Sequence, residues 1–255
     1  MDTLVIDVGN TRIHWRMRRR GEELCEDHAT LETMQTCISE WSGESGEPLR
    51  VAISCLRPGH RTALEEVLHK LTALPILWIE NGSAEGVSVE TDYPEKTGAD
   101  RALAALAWGG LHGLTPAVII DAGTAVTVDA VSPEGILLGG WIAPGWEALR
   151  SSLSAAAPEL PCGGTEVDSM PWARETSHAL CGGFEAYFHA GIVDLHSRVQ
   201  AGLQTDTDLE IATVLTGGDA HRLQADFPAA LVIPGLVLDG LELALERVDS
   251  EQRAD

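Results

Sequence analysis

An acidic motif interrupts or follows a buried strand at two places in the chain. The first run begins at Leu4 and contains Asp7-Val8-Gly9-Asn10-Thr11, and the second begins at Val118 and contains Asp121-Ala122-Gly123-Thr124. Runs of Val and Ile bounded by Gly are typical of buried strands. An Asp near the end of such a strand is a carboxylate on a rigid element, suited to hold a hydrated cation or to orient a nucleophile. The repeat predicts that each copy begins a lobe.

The residues next to each Asp are those that a phosphate group needs. Gly lets a phosphate oxygen approach the backbone and tolerates a positive φ. The following Thr offers a hydroxyl and a main-chain amide. For either copy alone the alternative is an ordinary strand–turn–strand hairpin, because Asp-x-Gly is common at turns. Two copies in the same order favour a pair of phosphate loops.

The composition excludes several classes of protein. With 255 residues and 44% hydrophobic content, the chain can bury the cores of two lobes of ordinary size. The formal net charge of −22 disfavours nucleic acid and anionic membranes as partners, because both require a positive surface. No apolar run is long enough to cross a bilayer, and no signal segment precedes the first strand. We therefore expect a cytoplasmic protein with neither a nucleic-acid nor a membrane partner.

The acidic excess coincides with a shortage of lysine. Lys70 and Lys96 are the only lysines, so nearly all basic side chains are arginines. Such a surface is typical of proteins adapted to high salt, where screening weakens charge repulsion. A merely acidic cytosolic protein is the alternative. The five cysteines show no ligand spacing, so a structural zinc site is not expected.

The first part of the chain has the element order of a ribonuclease-H-like lobe. Apolar patterns predict strands over residues 3–8, 12–18, 22–30, 51–54 and 76–79, and helices over 31–42 and 61–71. This β-β-β-α-β-α-β order feeds an antiparallel meander into a partly parallel sheet. A further helix over 102–108 leads to a lobe boundary between residues 114 and 115.

The second part repeats this plan. Strands are predicted from residue 118, over 125–131, 135–142, 211–215 and 229–233, and helices over 146–153, 172–201 and 236–248. The fold class is therefore α/β, with one lobe over 1–114 and a second over 115–255. The repeat unit is the lobe itself.

Asp100 and Arg101 stand side by side where the helix over 102–108 begins. The carboxylate can accept a proton from a hydroxyl, and the guanidinium can hold a substrate carboxylate with two hydrogen bonds. The alternative is a helix N-cap Asp followed by a surface Arg.

Five arginines crowd the second predicted strand and its turn. A phosphate clamp and a solvated hairpin tip are both compatible with this pattern, and the tip is favoured for Arg18–Arg20. The cluster comprises Arg12, Arg16, Arg18, Arg19 and Arg20.

These features together resemble the superfamily of acetate and sugar kinases, Hsp70 and actin. The resemblance rests on the two acidic loops and on a late Thr216-Gly217-Gly218 turn. It implies two ribonuclease-H-like lobes with nucleotide in the cleft between them. Neither G-x-x-x-x-G-K-[ST] nor G-x-G-x-x-G occurs, so P-loop and dinucleotide-binding folds have no support.

Within that superfamily the motif order resembles the type III pantothenate kinases along nearly the whole chain. The motifs are Asp7-Val8-Gly9-Asn10-Thr11, Gly98-Ala99-Asp100-Arg101, Asp121-Ala122-Gly123-Thr124-Ala125, Gly139-Gly140-x-Ile142-x-Pro144-Gly145 and Thr216-Gly217-Gly218. The resemblance implies transfer of the ATP γ-phosphate to the hydroxyl of pantothenate, giving 4′-phosphopantothenate in the first step of coenzyme A synthesis. It also implies Mg²⁺, a monovalent cation (K⁺ or NH₄⁺) and a homodimer.

The resemblance also assigns roles to individual residues. Asp100 is the implied general base, and Asp121 the implied ligand of the monovalent cation. Gly98, Ala99, Asp100 and Arg101 would bind pantothenate, with Arg101 on its carboxylate. Thr176 would reach the site of the other subunit, and Thr216–Gly218 would lie near the adenosine. The implied ATP-binding residues are Asp7, Val8, Gly9, Asn10, Thr11, Arg12, Ile13, His14 and Thr124.

The sequence departs from the family pattern at Glu175, where the family usually has Asn before the Thr. Two other functions stay open at this point. The chain could be a catalytically weak regulator of transcription, as some relatives in this family are known to be. It could also be a kinase of the same superfamily with a sugar or another small alcohol as acceptor.

Overall fold

The computed structural model describes residues 2–9, 13–30, 32–34, 36, 49–55, 58–69, 72–161, 171–206 and 209–252. The strands are β1 (Asp2–Val8), β2 (Ile13–Arg19), β3 (Glu22–Ala29), β4 (Leu49–Cys55), β5 (Leu77–Ile79), β6 (Ala117–Ala122), β7 (Ala125–Val131), β8 (Leu137–Pro144), β9 (Ala212–Thr216) and β10 (Leu231–Val232). The helices are α1 (Pro58–Leu68), α2 (Ala99–His112), α3 (Trp146–Ala156), α4 (Thr176–Asp206), α5 (Ala220–Leu223) and α6 (Leu236–Gln252), with a 3₁₀ turn at Pro94–Lys96.

The first sheet has the strand order β3-β2-β1-β4-β5. Strands β1, β2 and β3 pair antiparallel, whereas β4 runs parallel to β1 and β5 parallel to β4. Strand β1 is central, and its residues Leu4, Val5 and Ile6 are fully buried. This is the predicted antiparallel meander followed by parallel strands, and it places the end of β1 between two neighbouring strands.

The second sheet repeats the order of the first. It runs β10-β9-β6-β7-β8, and β9 is parallel to both β6 and β10. Here β6 takes the place of β1, so both acidic motifs lie at the end of a central strand. Two five-stranded sheets of matching order confirm the expected α/β fold of two ribonuclease-H-like halves.

The chain forms two compact units that are not continuous segments. One groups Met1–Thr115 with Val131–Gly139 and Gly235–Asp255, and the other groups Pro116–Ala130 with Gly140–Pro234. The units therefore do not coincide with the segments 1–114 and 115–255 expected from the sequence. The closing helix α6 accounts for much of the difference, because it packs on α2, β1 and β4 of the first unit.

A glycine permits the close packing of α6 on α2. A Cβ atom at Gly240 would overlap the carbonyl of Leu103. A larger residue at position 240 would therefore prevent this close approach of the two helices.

Several predicted boundaries differ from the observed ones. Helix α1 begins at Pro58 instead of residue 61, and α4 begins at Thr176 and continues to Asp206. The last strand has only two residues. The helix predicted over 31–42 falls largely outside the described residues. In the described part of the chain, every helix is too short or too polar to span a membrane.

Arg16 and Arg18 of β2 form ion pairs with carboxylates. Neither the phosphate-clamp nor the solvated-tip interpretation predicted these pairs. Arg16 is only 5% exposed; its Nε lies 2.6 Å from Glu26 Oε2, and its Nη1 pairs with Asp239 of α6. Arg18 Nε donates to Glu242 Oε1 at 2.7 Å. These ion pairs join α6 to the sheet of the same unit.

Removal of the buried guanidinium should destabilise the first unit. We expect Arg16→Met to lower the free energy of unfolding by about 2–3 kcal/mol at pH 7, because Glu26 and Asp239 would lose their shared counter-charge. Burial alone raises the pKa of Glu26, but hydrogen bonding to Arg16 leaves it below its usual 4.5. This stabilisation is present above the usual Glu pKa and is lost as the pH falls through the lowered one. The difference in the free energy of unfolding between the wild type and Arg16→Met, measured by urea denaturation, should therefore become smaller at acid pH.

The matched control is Arg18→Met, because the Arg18 side chain is 30% exposed. Partly exposed ion pairs contribute little, so we expect a loss of less than about 1 kcal/mol. An Arg16→Met protein as stable as the wild type, or equally destabilised at about pH 3, would contradict this account.

Candidate functional site

A row of polar side chains crosses the first sheet at the end of β1. Asp7 pairs in register with His14 of β2 and with Ser54 of β4, and His14 pairs with His28 of β3. Residues directly opposite each other in neighbouring strands project from the same face of a sheet. The polar row is therefore built by strand register, and Asp7 lies in its middle.

Asp7 is a carboxyl group in an unfavourable electrostatic environment. Burial, and then the neighbouring charge of Asp100, raise its pKa from 3.8 to about 7. The nearby Ser54 hydroxyl partly offsets this rise in the pKa of Asp7. Within the described residues, however, that hydroxyl has no hydrogen-bond partner at the usual distance and angles. The neutral form of Asp7 is thus favoured by its surroundings, and a bound cation would favour the ionised form.

Asp100 lies in the first turn of α2, one residue inside the helix. Gly98 is the N-cap, and the Asp100 side chain does not cap the helix. Asp100 Oδ1 accepts the N–H of Arg101 at 2.9 Å. The N-cap interpretation of Asp100 is therefore wrong, whereas its place at a helix N-terminus, which favours negative charge, is confirmed.

Gly98 leaves room for this carboxylate. A Cβ atom at Gly98 would overlap Asp100 Oδ1. The preceding residue, Thr97, is buried: its hydroxyl lies 2.6 Å from that of Thr91, and its carbonyl accepts the N–H of Gly82 at 3.0 Å. These bonds fix the point where α2 begins, so Asp100 projects from a rigid segment.

The other residues of the first predicted ATP loop divide into two groups. Val8 and Ile13 are buried strand ends on either side of the loop, and His14 Nε2 lies 2.8 Å from Glu26 Oε1 with its ring stacked on His28. Burial, followed by the nearby His28, lowers the pKa of His14. Gly9 directly follows β1, while Asn10, Thr11 and Arg12 lie outside the described residues.

The second acidic motif forms a tight turn between β6 and β7 of the other unit. Asp121 is half-buried, Thr124 is exposed, and the Gly123 N–H donates to the carbonyl of Ala125 at 3.0 Å. The Gly145 N–H donates to the Thr124 carbonyl at 3.1 Å. Thr124 thus presents its side chain to solvent from an anchored backbone.

Two further glycines allow the backbone to surround this turn. A Cβ at Gly145 would overlap the carbonyls of Gly123 and Thr124, and one at Gly217 would overlap Asp121 Oδ1 and the carbonyl of Ala122. Gly217 also has a φ of +86°, which favours glycine. The Asp121 carboxylate and the Ala122 carbonyl thus lie close together beside Gly217, and oxygens of both kinds are ligands of hard cations.

Thr176 is the first residue of α4 and is exposed. Glu175 precedes it at the N-cap position: its carbonyl accepts the N–H of Ala179 at 3.0 Å, and its Oε2 accepts the N–H of His178 at 3.2 Å. Its side chain also accepts the Ser177 hydroxyl, which is the main reason that the pKa of Glu175 is lowered.

Sequence reasoning missed Ser54 as a site residue. It is a single hydroxyl at the end of β4, between Ile53 and Cys55. The available signal was topological, because a polar residue at the end of the strand parallel to β1 must lie beside Asp7. Ligands commonly bind at the carboxyl ends of such strands.

Comparison with known proteins gives a consistent family. The family model described as type III pantothenate kinase matches residues 3–198. A type III pantothenate kinase from Marinobacter nauticus is 34% identical over 94% of this chain and 96% of its own. One from Thermobifida fusca is 31% identical over 96% and 98%.

Solved structures agree on the fold. A Campylobacter jejuni protein assigned to the Baf family of transcriptional activators has a TM-score of 0.63 and 19% identity, covering 97% of this chain and 99% of its own. The activator of 2-hydroxyisocaproyl-CoA dehydratase from Clostridium difficile, solved with ADPNP, has a TM-score of 0.52 and 13% identity, covering 100% and 98%. At these identities the similarity concerns the fold alone.

The raised pKa of Asp7 predicts that this residue destabilises the protein above neutral pH. Asp7→Asn should raise the free energy of unfolding at about pH 8 by roughly 1–3 kcal/mol. The shift from 3.8 to about 7 corresponds to at most about 4 kcal/mol, and the partial exposure of the side chain reduces it. Because the raised pKa penalises only the ionised form, the benefit should vanish as the pH falls towards 3.8.

Thermal melting of both proteins between about pH 4 and 8 measures this effect. Ser54→Ala is the informative companion variant, since loss of the hydroxyl should raise the Asp7 pKa further. An Asp7→Asn protein less stable than the wild type at pH 8 would contradict the electrostatic account.

Proposed function

The chain belongs to the type III pantothenate kinase family, and we propose that it transfers the ATP γ-phosphate to the hydroxyl of pantothenate through the residues assigned below. The product is 4′-phosphopantothenate, the first intermediate on the way to coenzyme A. The family match over residues 3–198 supports the reaction. Asp7 and Asp100 as electrostatic neighbours are the observation that supports the site.

Asp100 is the proposed general base. Phosphoryl transfer depends on positioning and charge stabilisation, and the acceptor hydroxyl must lose its proton. Asp100 lies at the N-terminus of α2 and is held by the Arg101 N–H, which leaves its second oxygen for the hydroxyl. Asp7, whose pKa is raised, is proposed as the partner of a cation and not as the general base.

Asp7 is the proposed partner of the Mg²⁺ that accompanies ATP. Mg²⁺ is usually bound by one or two carboxylates together with substrate phosphates, and when bound it neutralises phosphate charge. The residues fit such an ion, because the repulsion between Asp7 and Asp100 is relieved by a nearby cation. Within the described residues no cluster of three or more His, Cys, Asp or Glu side chains could hold a metal alone.

The loop between β1 and β2 is the proposed phosphate loop. Val8 and Ile13 anchor its two ends by burial, and His14 is held by Glu26. Gly9, Asn10, Thr11 and Arg12 complete the proposed loop.

Gly98–Arg101 is the proposed pantothenate segment, with Arg101 on the substrate carboxylate. A guanidinium matches a carboxylate with two parallel hydrogen bonds. Arg101 is half-buried and follows Asp100 directly, so the acid-binding group and the base share one rigid helix turn.

The second unit contributes Asp121 and Thr124 to the proposal. Asp121 is the proposed ligand of a monovalent cation such as K⁺ or NH₄⁺, and its carboxylate lies close to the Ala122 carbonyl beside Gly217. Such a cation would add fixed positive charge near ATP. The exposed Thr124 is assigned to the phosphates, and the Thr216–Gly218 turn to the adenosine.

A homodimer and a cytoplasmic location belong to the same proposal. Thr176 is assigned to the site of the other subunit, and its exposure at the start of α4 is compatible with that assignment.

The alternative of a weakly catalytic regulator is not favoured. Curated relatives that are 34% and 31% identical to this chain are type III pantothenate kinases that align along nearly the full length. The similarity to a Baf family structure at 19% identity concerns the fold.

An ATP-consumption assay with pantothenate tests the reaction. We expect turnover with pantothenate, stimulation by K⁺, and a kcat that falls roughly 10²- to 10⁴-fold in Asp100→Asn, as is usual for loss of a general base. The exposed Asp92 provides a matched control, and Asp92→Asn should stay within about twofold of the wild type. ATP consumption only with a sugar acceptor would refute the substrate, and none with any acceptor would point to a binding module. Near-normal turnover in Asp100→Asn would show that Asp100 is not the general base.

Arg101 is tested by substrate selectivity. Arg101→Gln should raise the KM for pantothenate roughly 10- to 100-fold with a smaller change in kcat, because a charge-assisted bidentate contact is lost. Pantothenol, which has a hydroxyl in place of the carboxylate, supplies the control substrate. Its KM should be similar in both proteins, and a parallel rise for both substrates would contradict a carboxylate contact.

A further inference from the structure

We propose that Trp146 is a positioning residue for the Asp121–Thr124 turn, which it stabilises through the two neighbouring turns that contain Gly145 and Gly217. This inference rests on the proposed roles of Asp121 and Thr124 in binding a monovalent cation and ATP. Trp146 itself belongs to none of the motifs that indicated those roles.

The first link is direct in sequence. Gly145 is the N-cap of α3, and Trp146 is the first residue of that helix. The Gly145 N–H bonds to the Thr124 carbonyl, and its Cα lies against the backbone of Gly123 and Thr124. Any shift in the start of α3 therefore moves an atom that contacts the acidic turn.

The second link runs through the turn after β9. Thr216 pairs in register with Asp121, and the Cα of Gly217 lies against the Asp121 carboxylate. The Asp219 N–H then donates to the Ala122 carbonyl at 2.9 Å. This turn therefore borders the cation-binding oxygens from a second direction.

Trp146 joins the two turns. Trp146 is only 6% exposed, and the guanidinium carbon of Arg222 lies 4.7 Å from the centroid of its ring. Arg222 Nε donates to Asp219 Oδ1 at 3.3 Å. Phe188 of α4 contacts the same ring edge-to-face at 5.5 Å.

One aromatic ring thus fixes the position of Gly145 by backbone continuity and that of the Gly217–Asp219 turn through Arg222. A guanidinium over an indole ring is a favourable and directional contact. Without the ring, both turns should be held less firmly, and the oxygen atoms near the Asp121 carboxylate should move apart. We expect weaker binding of K⁺ and ATP, while pantothenate, assigned mainly to Gly98–Arg101 of the first unit, should be little affected.

The experiment compares the wild type with Trp146→Leu, Trp146→Phe and Arg222→Gln. For Trp146→Leu we expect the K⁺ concentration that gives half-maximal rate to rise about 5- to 20-fold and the KM for ATP about 3- to 10-fold, with the KM for pantothenate within about twofold. Trp146→Phe should restore part of the effect. The double variant Trp146→Leu/Arg222→Gln should be no worse than the poorer single variant, because both changes break one link.

A second readout does not depend on turnover. Wild-type melting temperature should be higher in K⁺ than in Li⁺ at equal ionic strength, and Trp146→Leu should lose this difference. Trp172→Leu is the matched control for the tryptophan, since Trp172 is 65% exposed. Arg198→Gln, which removes an exposed ion pair with Asp194, is the control for Arg222. Both controls should behave like the wild type.

The outcomes separate this inference from the proposed function. A wild type without any K⁺-specific response overturns the cation role of Asp121, and the inference with it. A clear wild-type response that Trp146→Leu retains unchanged overturns the inference alone. A lower kcat with unchanged K⁺ and KM values would show a merely structural role. If Trp146→Leu fails to fold, Arg222→Gln decides, because that side chain is partly exposed.

Discussion

The repulsion between Asp7 and Asp100 is the constraint on which the first unit depends. Asp7 is fixed on the central strand of a sheet, and Asp100 on the first turn of a helix, so neither backbone is free to separate the charges. Burial of Asp7, and then the neighbouring charge of Asp100, raise the pKa of Asp7 to about 7. A pair of this kind is unfavourable alone and becomes favourable beside a cation. The first unit thus holds two carboxylates whose mutual repulsion a nearby cation would relieve.

The second acidic motif has nearly the same sequence and a different environment. The Asp121 carboxylate and the Ala122 carbonyl lie against Gly217, and the carbonyls of Gly123 and Thr124 lie against Gly145. These contacts are possible only because neither glycine has a side chain. The same short motif therefore has a carboxylate neighbour in the first unit and closely packed glycines in the second.

Much of the architecture follows from local patterns in the sequence, and the site follows only in part. Alternating and continuous apolar runs identified both sheets, because a central strand such as β1 is buried on both faces. The roles of Arg16 and Arg18 were missed because their partners Asp239 and Glu242 come more than two hundred residues later. No local pattern records such a pairing. The same non-local contacts explain why α6 groups with the first unit and not with the segment that precedes it.

Glu175 shows how a departure from a family pattern can be compensated locally. The usual Asn is a good N-cap because its short side chain accepts a main-chain N–H from the first turn. Glu175 has a longer side chain, and it still reaches the N–H of His178 and the hydroxyl of Ser177. Helix α4 therefore begins at Thr176 with a capped first turn. Thr176 thus stands at the start of a capped helix although Glu replaces the usual Asn.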